Sequence, residues 1–522
     1  MRIFCCLPLF TLLLGLSGCA SLPTEVLRPL SDHTDRDSEP SRLSDYAAPY
    51  LRTHAGKSGF WLLGDGLDAY AARIMLTEGA DRTIDVQYYL YHDDVTGRIL
   101  TYRLLRAADR GVRVRLLLDD MATKGNDTAL ATLDGHPNIE IRIVNPYANR
   151  NFRGLETLTR FDAVTRRMHN KSFTVDNLMT VVGGRNIGDE YFGTHETMNF
   201  GDLDVLAMGP AAAEVGQQFD LYWNSSLTYP VRALVERRGE LNVLRGELKG
   251  FNDAQRNSPY AQQARNSDLV RQFVDGTLDF QWGQALVFYD LPEKLVTDPE
   301  DRSTHMAPEL LSVTLGSVKR DLLMFSPYFV PGEHGVVMLT DLEDRGVEVR
   351  ILTNSLASTD VGVVHAGYAK YRKPLLRGGV DIYEFKPDAD RTAKRTFRKL
   401  LGSSGTSLHA KTSVLDREAL FVGSANLDPR SGKLNTELGI LFQSEPLAEG
   451  LADWFDANQA RIAYRVSLDR TGCAGKQHCP GRLRWVDEAP GREVVYLSDP
   501  ETGVMTRLFV SLISLLPIEG QL

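Results

Sequence analysis

The sequence predicts an α/β fold built by duplication, in which two mixed-sheet α/β/α halves meet at one shared active site. A short pattern around His169 returns without a gap 240 positions later, around His409. In both halves a strand, a helix, an Asp-Arg-Gly turn and a second strand precede that pattern, as expected for α/β units. The 522 residues are enough for two such halves with substantial cores.

The predicted organisation has four parts. They are a lipoprotein signal peptide over 1–18, a tether over 19–55, the first half over 56–270 and the second half over 271–522. The tether is predicted from a polar stretch, Ser31 to Ser44, which is rich in Pro, Ser and Asp and typical of linkers.

The N-terminus has the pattern of a secretory signal. Arg2 precedes an apolar run from Ile3 to Leu16 that is too short for a membrane-spanning helix. The tetrad Leu16-Ser17-Gly18-Cys19 resembles a bacterial lipobox, which implies cleavage before Cys19 and lipidation of its thiol. Ala20 then favours the outer over the inner membrane. The alternative is a simple signal peptide with an incidental cysteine.

Composition narrows the class of partner. The net charge of −9 and the pI of 5.7 argue against nucleic acid, because that affinity depends on cationic contacts to phosphates. No later segment is apolar over the length of a bilayer, so lipid is the expected anchor. The apolar stretch Leu508 to Leu516 either packs on the core or touches the membrane. The sequence names no partner protein.

Two cysteines lie near the C-terminus. Cys473 and Cys479 are six positions apart in a loop-like stretch, and in an oxidising periplasm we expect them to form a local disulfide. The alternatives are two free thiols, or a weak metal site that includes His478. Two cysteines and one histidine are an incomplete zinc site.

Each copy of the repeated pattern is predicted to begin a β-hairpin. The hairpin strands are Lys171–Val175 with Met179–Val182, and Lys411–Leu415 with Ala419–Val422. The histidine and lysine of each copy are two positions apart, so an extended chain points both side chains to the same face.

The repeated residues suit attack on a phosphodiester. One imidazole attacks phosphorus, and the other protonates the leaving oxygen and then deprotonates the acceptor. The lysines would stabilise the non-bridging oxygens, and the asparagines would add neutral donors. We see no convincing set of metal ligands and expect no cofactor. The candidates are His169, Lys171, Asp176 and Asn186 in the first copy and His409, Lys411, Asp416 and Asn426 in the second.

Each imidazole needs an acidic partner that fixes its tautomer. Asp176 and Asp416 are candidates, but they lie at the hairpin turns and can equally tie those turns. We therefore favour Asp202 and Glu437, with Asp204 as the fallback.

Basic residues precede each histidine. A solvated loop is the common interpretation, and a surface that faces phosphate or lipid is the alternative. The residues are Arg150, Arg153, Arg160, Arg166 and Arg167 in the first half and Arg391, Lys394, Arg395, Arg398 and Lys399 in the second.

At these positions the chain resembles the phospholipase D superfamily, which is characterised by HxKxxxxD motifs. The motifs read His169-Asn-Lys-Ser-Phe-Thr-Val-Asp176 and His409-Ala-Lys-Thr-Ser-Val-Leu-Asp416. The resemblance implies a phospholipase D-like fold, with His169 as nucleophile and His409 as acid. The family's downstream Gly-Ser-x-Asn is complete only in the second half, where Ser424 stands. Gly184 replaces that serine in the first half, so the two phosphate contacts need not be equal.

Within this superfamily the chain is most similar to bacterial cardiolipin synthases of the C type. Supporting segments are Tyr88-Tyr89-Leu90-Tyr91, Gly184-Arg185-Asn186-Ile187-Gly188-Asp189-Glu190-Tyr191-Phe192 and Ser326-Pro327-Tyr328-Phe329-Val330-Pro331. The resemblance implies transfer of a phosphatidyl group onto phosphatidylglycerol, with phosphatidylethanolamine as the associated donor. The alternatives are a hydrolytic phospholipase D, a nuclease of the superfamily, and a non-catalytic envelope protein that kept the fold.

Overall fold

A computed structural model describes residues 21–154, 156, 160–195, 199–387, 407–469, 481–488, 493–516 and 520. The signal peptide, Cys19, the Cys473–Cys479 pair and the basic residues 391–399 lie outside the described residues. Within the described ranges, no helix has both the length and the apolar character needed to span a bilayer.

The first half is built on a nine-stranded mixed sheet, in the order β10-β1-β8-β6-β5-β2-β3-β4-β9. Strand β7 lies outside this sheet and pairs with a strand of the second half. The strands are β1 (Ser58–Leu63), β2 (Thr83–Tyr88), β3 (Arg113–Asp119), β4 (Ile139–Val144), β5 (Ser172–Val175), β6 (Met179–Gly183), β7 (Phe200–Gly201), β8 (Asp204–Met208), β9 (Thr228–Pro230) and β10 (Gln281–Gly283).

The second half has a ten-stranded sheet, in the order β11-β18-β17-β16-β12-β13-β14-β19-β20-β21. Strand β15 is the partner of β7. The strands are β11 (Ala285–Tyr289), β12 (Asp321–Phe325), β13 (Glu348–Asn354), β14 (Asp381–Phe385), β15 (Ser407–Leu408), β16 (Thr412–Leu415), β17 (Ala419–Gly423), β18 (Leu438–Gln443), β19 (Ala463–Asp469), β20 (Arg482–Asp487) and β21 (Val494–Tyr496).

Helices cover both faces of each sheet. In the first half they are α1 (Arg42–Thr53), α2 (Gly66–Gly79), α3 (Val95–Asp109), α4 (Asp127–Leu133), α5 (Phe161–Thr165), α6 (Pro210–Trp223), α7 (Val231–Leu234), α8 (Leu241–Gln255), α9 (Pro259–Arg265) and α10 (Asp268–Val274). In the second half they are α11 (Ala307–Ser317), α12 (Gly332–Asp344), α13 (Gly362–Ala369), α14 (Arg372–Arg377), α15 (Pro429–Lys433), α16 (Glu445–Ile462) and α17 (Val504–Ile513).

The duplication is visible in the centre of both sheets. Strands β2, β3 and β4 are parallel, as are β12, β13 and β14, because a helix returns the chain to the same edge each time. The hairpins β5–β6 and β16–β17 pack antiparallel beside them. The predicted α/β fold and its central hairpins are confirmed.

The two halves share a core. Phe60 of β1 stacks on Phe442 of β18 with ring centroids 4.1 Å apart. The apolar faces of α6 and α16 lie in the same cluster, so the contact between the halves is as apolar as a domain interior. A shared core of this kind fixes the relative position of the two repeated motifs.

The structure differs from the predicted tether. From Arg28 onward the segment contacts the first half, and it ends in α1. His33 is buried, and its Nδ1 lies 2.6 Å from Asp220 Oδ2, while the Arg28 Nε donates to the Thr228 carbonyl at 2.7 Å. Composition predicted a linker because the segment has few apolar residues, but its polar groups find individual partners on the folded body.

The boundary between the halves also differs from the predicted 270/271. Strand β10 still belongs to the first sheet, through its antiparallel pairing with β1. Strand β11 belongs to the second sheet. The chain therefore crosses between Gly283 and Ala285, and α10 is part of the first half.

Candidate active site

The repeated histidines lie where the two halves exchange backbone hydrogen bonds. Strand β15, which leads into His409, pairs in parallel with β7 of the first half. On the other side Met168 forms a bridge with Thr436, and the His169 N–H donates to the Thr436 carbonyl at 2.9 Å. Each histidine therefore approaches the opposite half of the molecule.

This exchange gives each histidine a carboxylate from the other repeat. His169 Nδ1 lies 2.8 Å from Glu437 Oε2, and His409 Nδ1 lies 2.6 Å from Asp202 Oδ2. An ionised carboxylate only accepts hydrogen bonds, so each Nδ1 carries the proton and each Nε2 keeps its lone pair. The structure thus brings both favoured carboxylates to the histidines, and it pairs them across the halves.

The ionisation of each pair follows from burial and charge. Burial, helped by Lys171, lowers the pKa of His169 to about 4, although Glu437 opposes it. Burial also lowers the pKa of His409. Burial disfavours the anionic form of Asp202, but His409 and Lys411 outweigh it and lower the pKa of Asp202 to about 2. At neutral pH the unliganded site therefore holds two neutral imidazoles against two carboxylates.

The two lysines are buried between these groups. Lys171 Nζ donates to the His169 carbonyl at 2.5 Å, and Lys411 Nζ donates to the His409 carbonyl at 2.6 Å. Burial lowers the pKa of Lys171 to about 7 and that of Lys411 to about 8. An ammonium group that is poorly solvated in this way is well suited to bind an anionic phosphate.

Tyrosine rings complete the site, and sequence reasoning did not assign them a role. The Tyr89 ring lies 5.1 Å from the His169 ring and 5.6 Å from Lys171 Nζ. In the second half the Tyr328 ring lies 6.5 Å from His409 and 5.7 Å from Lys411 Nζ. A usable signal was present, because each tyrosine stands within three residues of the end of corresponding strands, β2 and β12.

Ser424 and Gly184 have different roles from the predicted phosphate contacts. The Ser424 hydroxyl donates to Glu437 Oε2 at 2.5 Å and so holds the carboxylate that orients His169. At Gly184 an added Cβ would lie 2.2 Å from Asp202 Oδ1, so a side chain there would displace that carboxylate. The Gly for Ser replacement therefore makes room for Asp202.

The two predicted asparagines are not equivalent. Asn186 is held by the protein: its Oδ1 accepts from the Leu90 N–H at 3.1 Å, and its Nδ2 donates to the Tyr191 hydroxyl at 2.9 Å. The buried Oδ1 of Asn426 has no hydrogen-bond partner among the described residues. The second half thus offers the asparagine with free capacity for a ligand.

The motif aspartates Asp176 and Asp416 are not part of the site, which corrects their assignment as catalytic. Both have positive φ, 51° and 53°, in the hairpin turns. Asp176 accepts the Arg82 and Thr83 N–H groups at 2.9 Å, and Asp416 accepts the Arg320 N–H at 2.7 Å. They fix the hairpins to the start of β2 and β12.

Asp204, the alternative orienting carboxylate, binds groups other than a motif histidine. Asp204 Oδ2 lies 2.9 Å from Arg73 Nη2, and both side chains are buried. Its other oxygen accepts from the Arg185 N–H at 3.2 Å. Asp204 therefore neutralises buried arginines, and Asp202 alone serves His409.

The basic residues before His169 are largely used inside the fold. Arg150 pairs with Asp120 at 2.7 Å, and Arg153 pairs with Asp127 at 3.0 Å. The Arg166 guanidinium donates to the Thr297 carbonyl. These contacts stabilise the segment that leads to His169. The three arginines therefore have internal partners, which differs both from a solvated loop and from the alternative of a surface for phosphate or lipid.

In the described part of the chain, two groups have ligand atoms close enough to hold a metal, and neither includes a motif histidine. One is Asp32, His33 and Asp220, and the other is His92, Asp94 and Glu190. Asp220 already pairs with Arg115 at 2.8 Å, and Asp94 caps α3 through the Gly97 N–H at 2.9 Å. Chemistry without a cofactor stays a prediction.

Comparison with known proteins shows the family. The model described as "Cardiolipin synthase, PLD-like domain" matches residues 74–223 and 311–458, one match in each half. The chain belongs to this phospholipase D-like cardiolipin synthase family. It is 43% identical over 481 residues to cardiolipin synthase C of Escherichia coli, covering 92% of this chain and 99% of that one.

More distant relatives agree with the fold. Cardiolipin synthase A of Pseudomonas syringae is 28% identical over 73% of this chain and 64% of its own length. The crystal structure of phosphatidylserine synthase from Haemophilus influenzae matches with a TM-score of 0.52 at 14% identity, over 81% of this chain and 91% of that chain. The family and the site together make this protein a phospholipid phosphatidyltransferase.

For this family member we expect kcat/KM to fall as pH rises through about 7 to about 8, because Lys171 and Lys411 then lose their charge. The neutral form of His169 persists down to about pH 4, so protonation of His169 should not lower kcat/KM on the acid side before then. A pH profile of kcat/KM reports these free-enzyme groups.

Lys171→Arg tests the assignment, because a guanidinium stays charged and should move the alkaline decline to higher pH. Lys433→Arg is the matched control, since Lys433 pairs with Glu300 away from the histidines. An alkaline decline that is identical in wild type, Lys171→Arg and Lys411→Arg would contradict the prediction.

Proposed function

We propose that the enzyme makes cardiolipin by transferring a phosphatidyl group from a phospholipid donor to phosphatidylglycerol. The observation that carries the proposal is the buried, crossed pair of His–carboxylate units with two lysines between them. The similarity to cardiolipin synthase C over nearly the whole chain supports cardiolipin as the product. Phosphatidylethanolamine is the donor that the resemblance implies.

The proposed reaction proceeds through a phosphohistidine. Nε2 of His169 attacks phosphorus, the P–N bond forms, and the P–O bond to the headgroup breaks while His409 protonates the leaving oxygen. His409 then takes the proton of the acceptor hydroxyl, whose oxygen attacks phosphorus and releases His169. An incoming phosphate anion beside His409 favours the protonated form that the first step needs.

Burial supports transfer over hydrolysis. His169 is 9% exposed and His409 is 5% exposed, so bulk water has limited access to the intermediate. An acceptor alcohol presented from a bilayer then competes well with water. The alternative remains a phospholipase D that lets water attack the same intermediate and releases phosphatidic acid.

Membrane attachment is part of the proposal. Lipidation of Cys19 would place the catalytic body on the periplasmic side of a membrane, with the outer membrane favoured by Ala20. The contacts of Arg28 and His33 with the first half support a catalytic body held close to its anchor, because these residues follow Cys19 closely in the sequence.

The deciding experiment supplies purified protein with vesicles of phosphatidylethanolamine and phosphatidylglycerol that carry different acyl chains. We expect cardiolipin with one diacyl unit from each lipid, together with free ethanolamine, measured by mass spectrometry. Glycerol release and cardiolipin with only phosphatidylglycerol chains would reject the ethanolamine donor. Phosphatidic acid as the main product would reject the transferase. The intact mass of the same protein reports lipid on Cys19.

A further inference from the structure

Helix α17 presents an apolar face that the described part of the molecule leaves uncovered. Leu508 is 58% exposed, Phe509 54% and Leu512 63%. The exposed apolar residues span roughly 140° of the helix circumference at 100° per residue, and Ser511 lies to one side of that arc. These residues are Val504, Met505, Leu508, Phe509 and Leu512.

The opposite side of the helix is firmly attached to the second half. Val510 is buried against Leu356 and Ala366 of the segment around α13. Just before the helix, Asp499 accepts from the buried Arg372 Nη2 at 2.8 Å. The exposed face is therefore carried by a fixed element.

The attachment point is next to the active site. Leu356 is two residues after Asn354, whose side chain exchanges two hydrogen bonds with the Leu408 backbone, each of 2.9 Å, directly before His409. Helix α13 begins at Gly362, shortly after Asp360, which accepts from the Tyr328 hydroxyl at 2.7 Å. The Tyr328 ring in turn lies over Lys411.

We infer that α17 docks on the phospholipid bilayer and inserts its outward face among the acyl chains beside the entrance to the site. The inference rests on the proposed function, because the long-chain phospholipids that the enzyme would use are held in a membrane. A helix with an uncharged apolar arc on its free side, and an opposite side that is packed on the protein, is the kind of element that lies in a membrane interface. Docking there would bring the site to the level of the lipid headgroups.

Fluorescence tests insertion without depending on turnover. In Leu512→Trp, added vesicles of phosphatidylethanolamine and phosphatidylglycerol should shift the emission to the blue, and lipids brominated on their acyl chains should quench it. The five native tryptophans give the background, which wild-type protein measures. Ser511→Trp is the matched control and should gain little quenching, because Ser511 is exposed beside the apolar arc.

Two outcomes would overturn the inference. One is emission from Leu512→Trp that stays unquenched by bromolipid while the protein sediments with the vesicles. The other is a blue shift that appears without lipid and grows with protein concentration, which would assign the face to a second copy of the chain. Both readouts remain valid if the protein makes no cardiolipin, so failure of the proposed function is seen separately.

Enzyme activity on vesicles and on monomeric lipids gives a second test of the inference. The double variant Leu508→Asp, Leu512→Asp should lose about tenfold or more in kcat/KM on long-chain vesicles, since charge opposes insertion. On short-chain lipids dissolved as monomers it should retain wild-type activity, which also shows that it folds. Ser511→Asp adds one charge to the same helix and should match wild type on both substrates. Equal losses on vesicles and monomers would contradict a docking role.

Discussion

Replacing either motif histidine should abolish turnover. His169→Ala removes the proposed nucleophile and His409→Ala the proposed acid and base, so we expect each to lower kcat by about 10⁴-fold or more. Turnover is measured as cardiolipin formed from mixed vesicles. His334→Ala is the matched control, because His334 is exposed on α12 and should leave the rate unchanged. Near wild-type turnover in His169→Ala or His409→Ala would contradict the mechanism.

A substrate with a good leaving group separates the two roles. A phosphodiester of nitrophenol loses its leaving group without a proton, so His409→Ala should release one burst of nitrophenolate and retain a phosphoryl adduct on His169. His169→Ala should give neither burst nor adduct. Intact-protein mass spectrometry detects the adduct. The reverse pattern would make His409 the nucleophile.

The second large effect is expected at the orienting carboxylates. Asp202→Asn and Glu437→Gln keep the shape of the side chains but remove the charge that holds Nδ1 protonated, so kcat should fall by roughly 10²- to 10⁴-fold. Ser424→Ala removes one hydrogen bond to Glu437 and should cost only roughly tenfold. Glu418→Gln is the control, since Glu418 forms an exposed pair with Arg320.

NMR can test directly whether each histidine pairs with the carboxylate of the other half. In ¹⁵N-histidine NMR spectra, Glu437→Gln should change the ring-nitrogen signals of His169 and spare those of His409, and Asp202→Asn should do the opposite. Pairing within each half predicts the reverse assignment. A general loss of structure would instead disturb both histidines in both variants.

Much of the site was predictable from the sequence. The exact repeat around His169 and His409 identified the histidines and lysines, and their spacing placed each pair on one face. Glu437 could be chosen because it stands next to the start of a strand downstream of the second motif, and Asp202 because it is the counterpart of Glu437 in the first half. The central hairpins followed from short apolar strands around Asp176-Asn177 and Asp416-Arg417, and the structure has both.

Other features misled sequence reasoning for identifiable reasons. Asp176 was predicted to be catalytic because it belongs to the repeated motif. In the structure its carboxylate accepts backbone N–H groups at the start of β2. The segment after residue 20 reads as a linker, but His33 and Arg28 find partners far along the chain. Partners of this kind are separated by many residues, so local composition carries no signal for them.

By itself, the sequence determined that the chain is duplicated, which histidines and lysines are repeated, and which family it belongs to. Only the tertiary structure decided how those residues combine. The β7–β15 pairing and the Met168–Thr436 bridge carry each histidine across to the other repeat, so His169 is served by Glu437 and His409 by Asp202. No periodicity within one half encodes this, because it arises from backbone pairing between halves around a shared core. The same packing decides that Gly184 must lack a side chain and that α17 shows its apolar face beside the site.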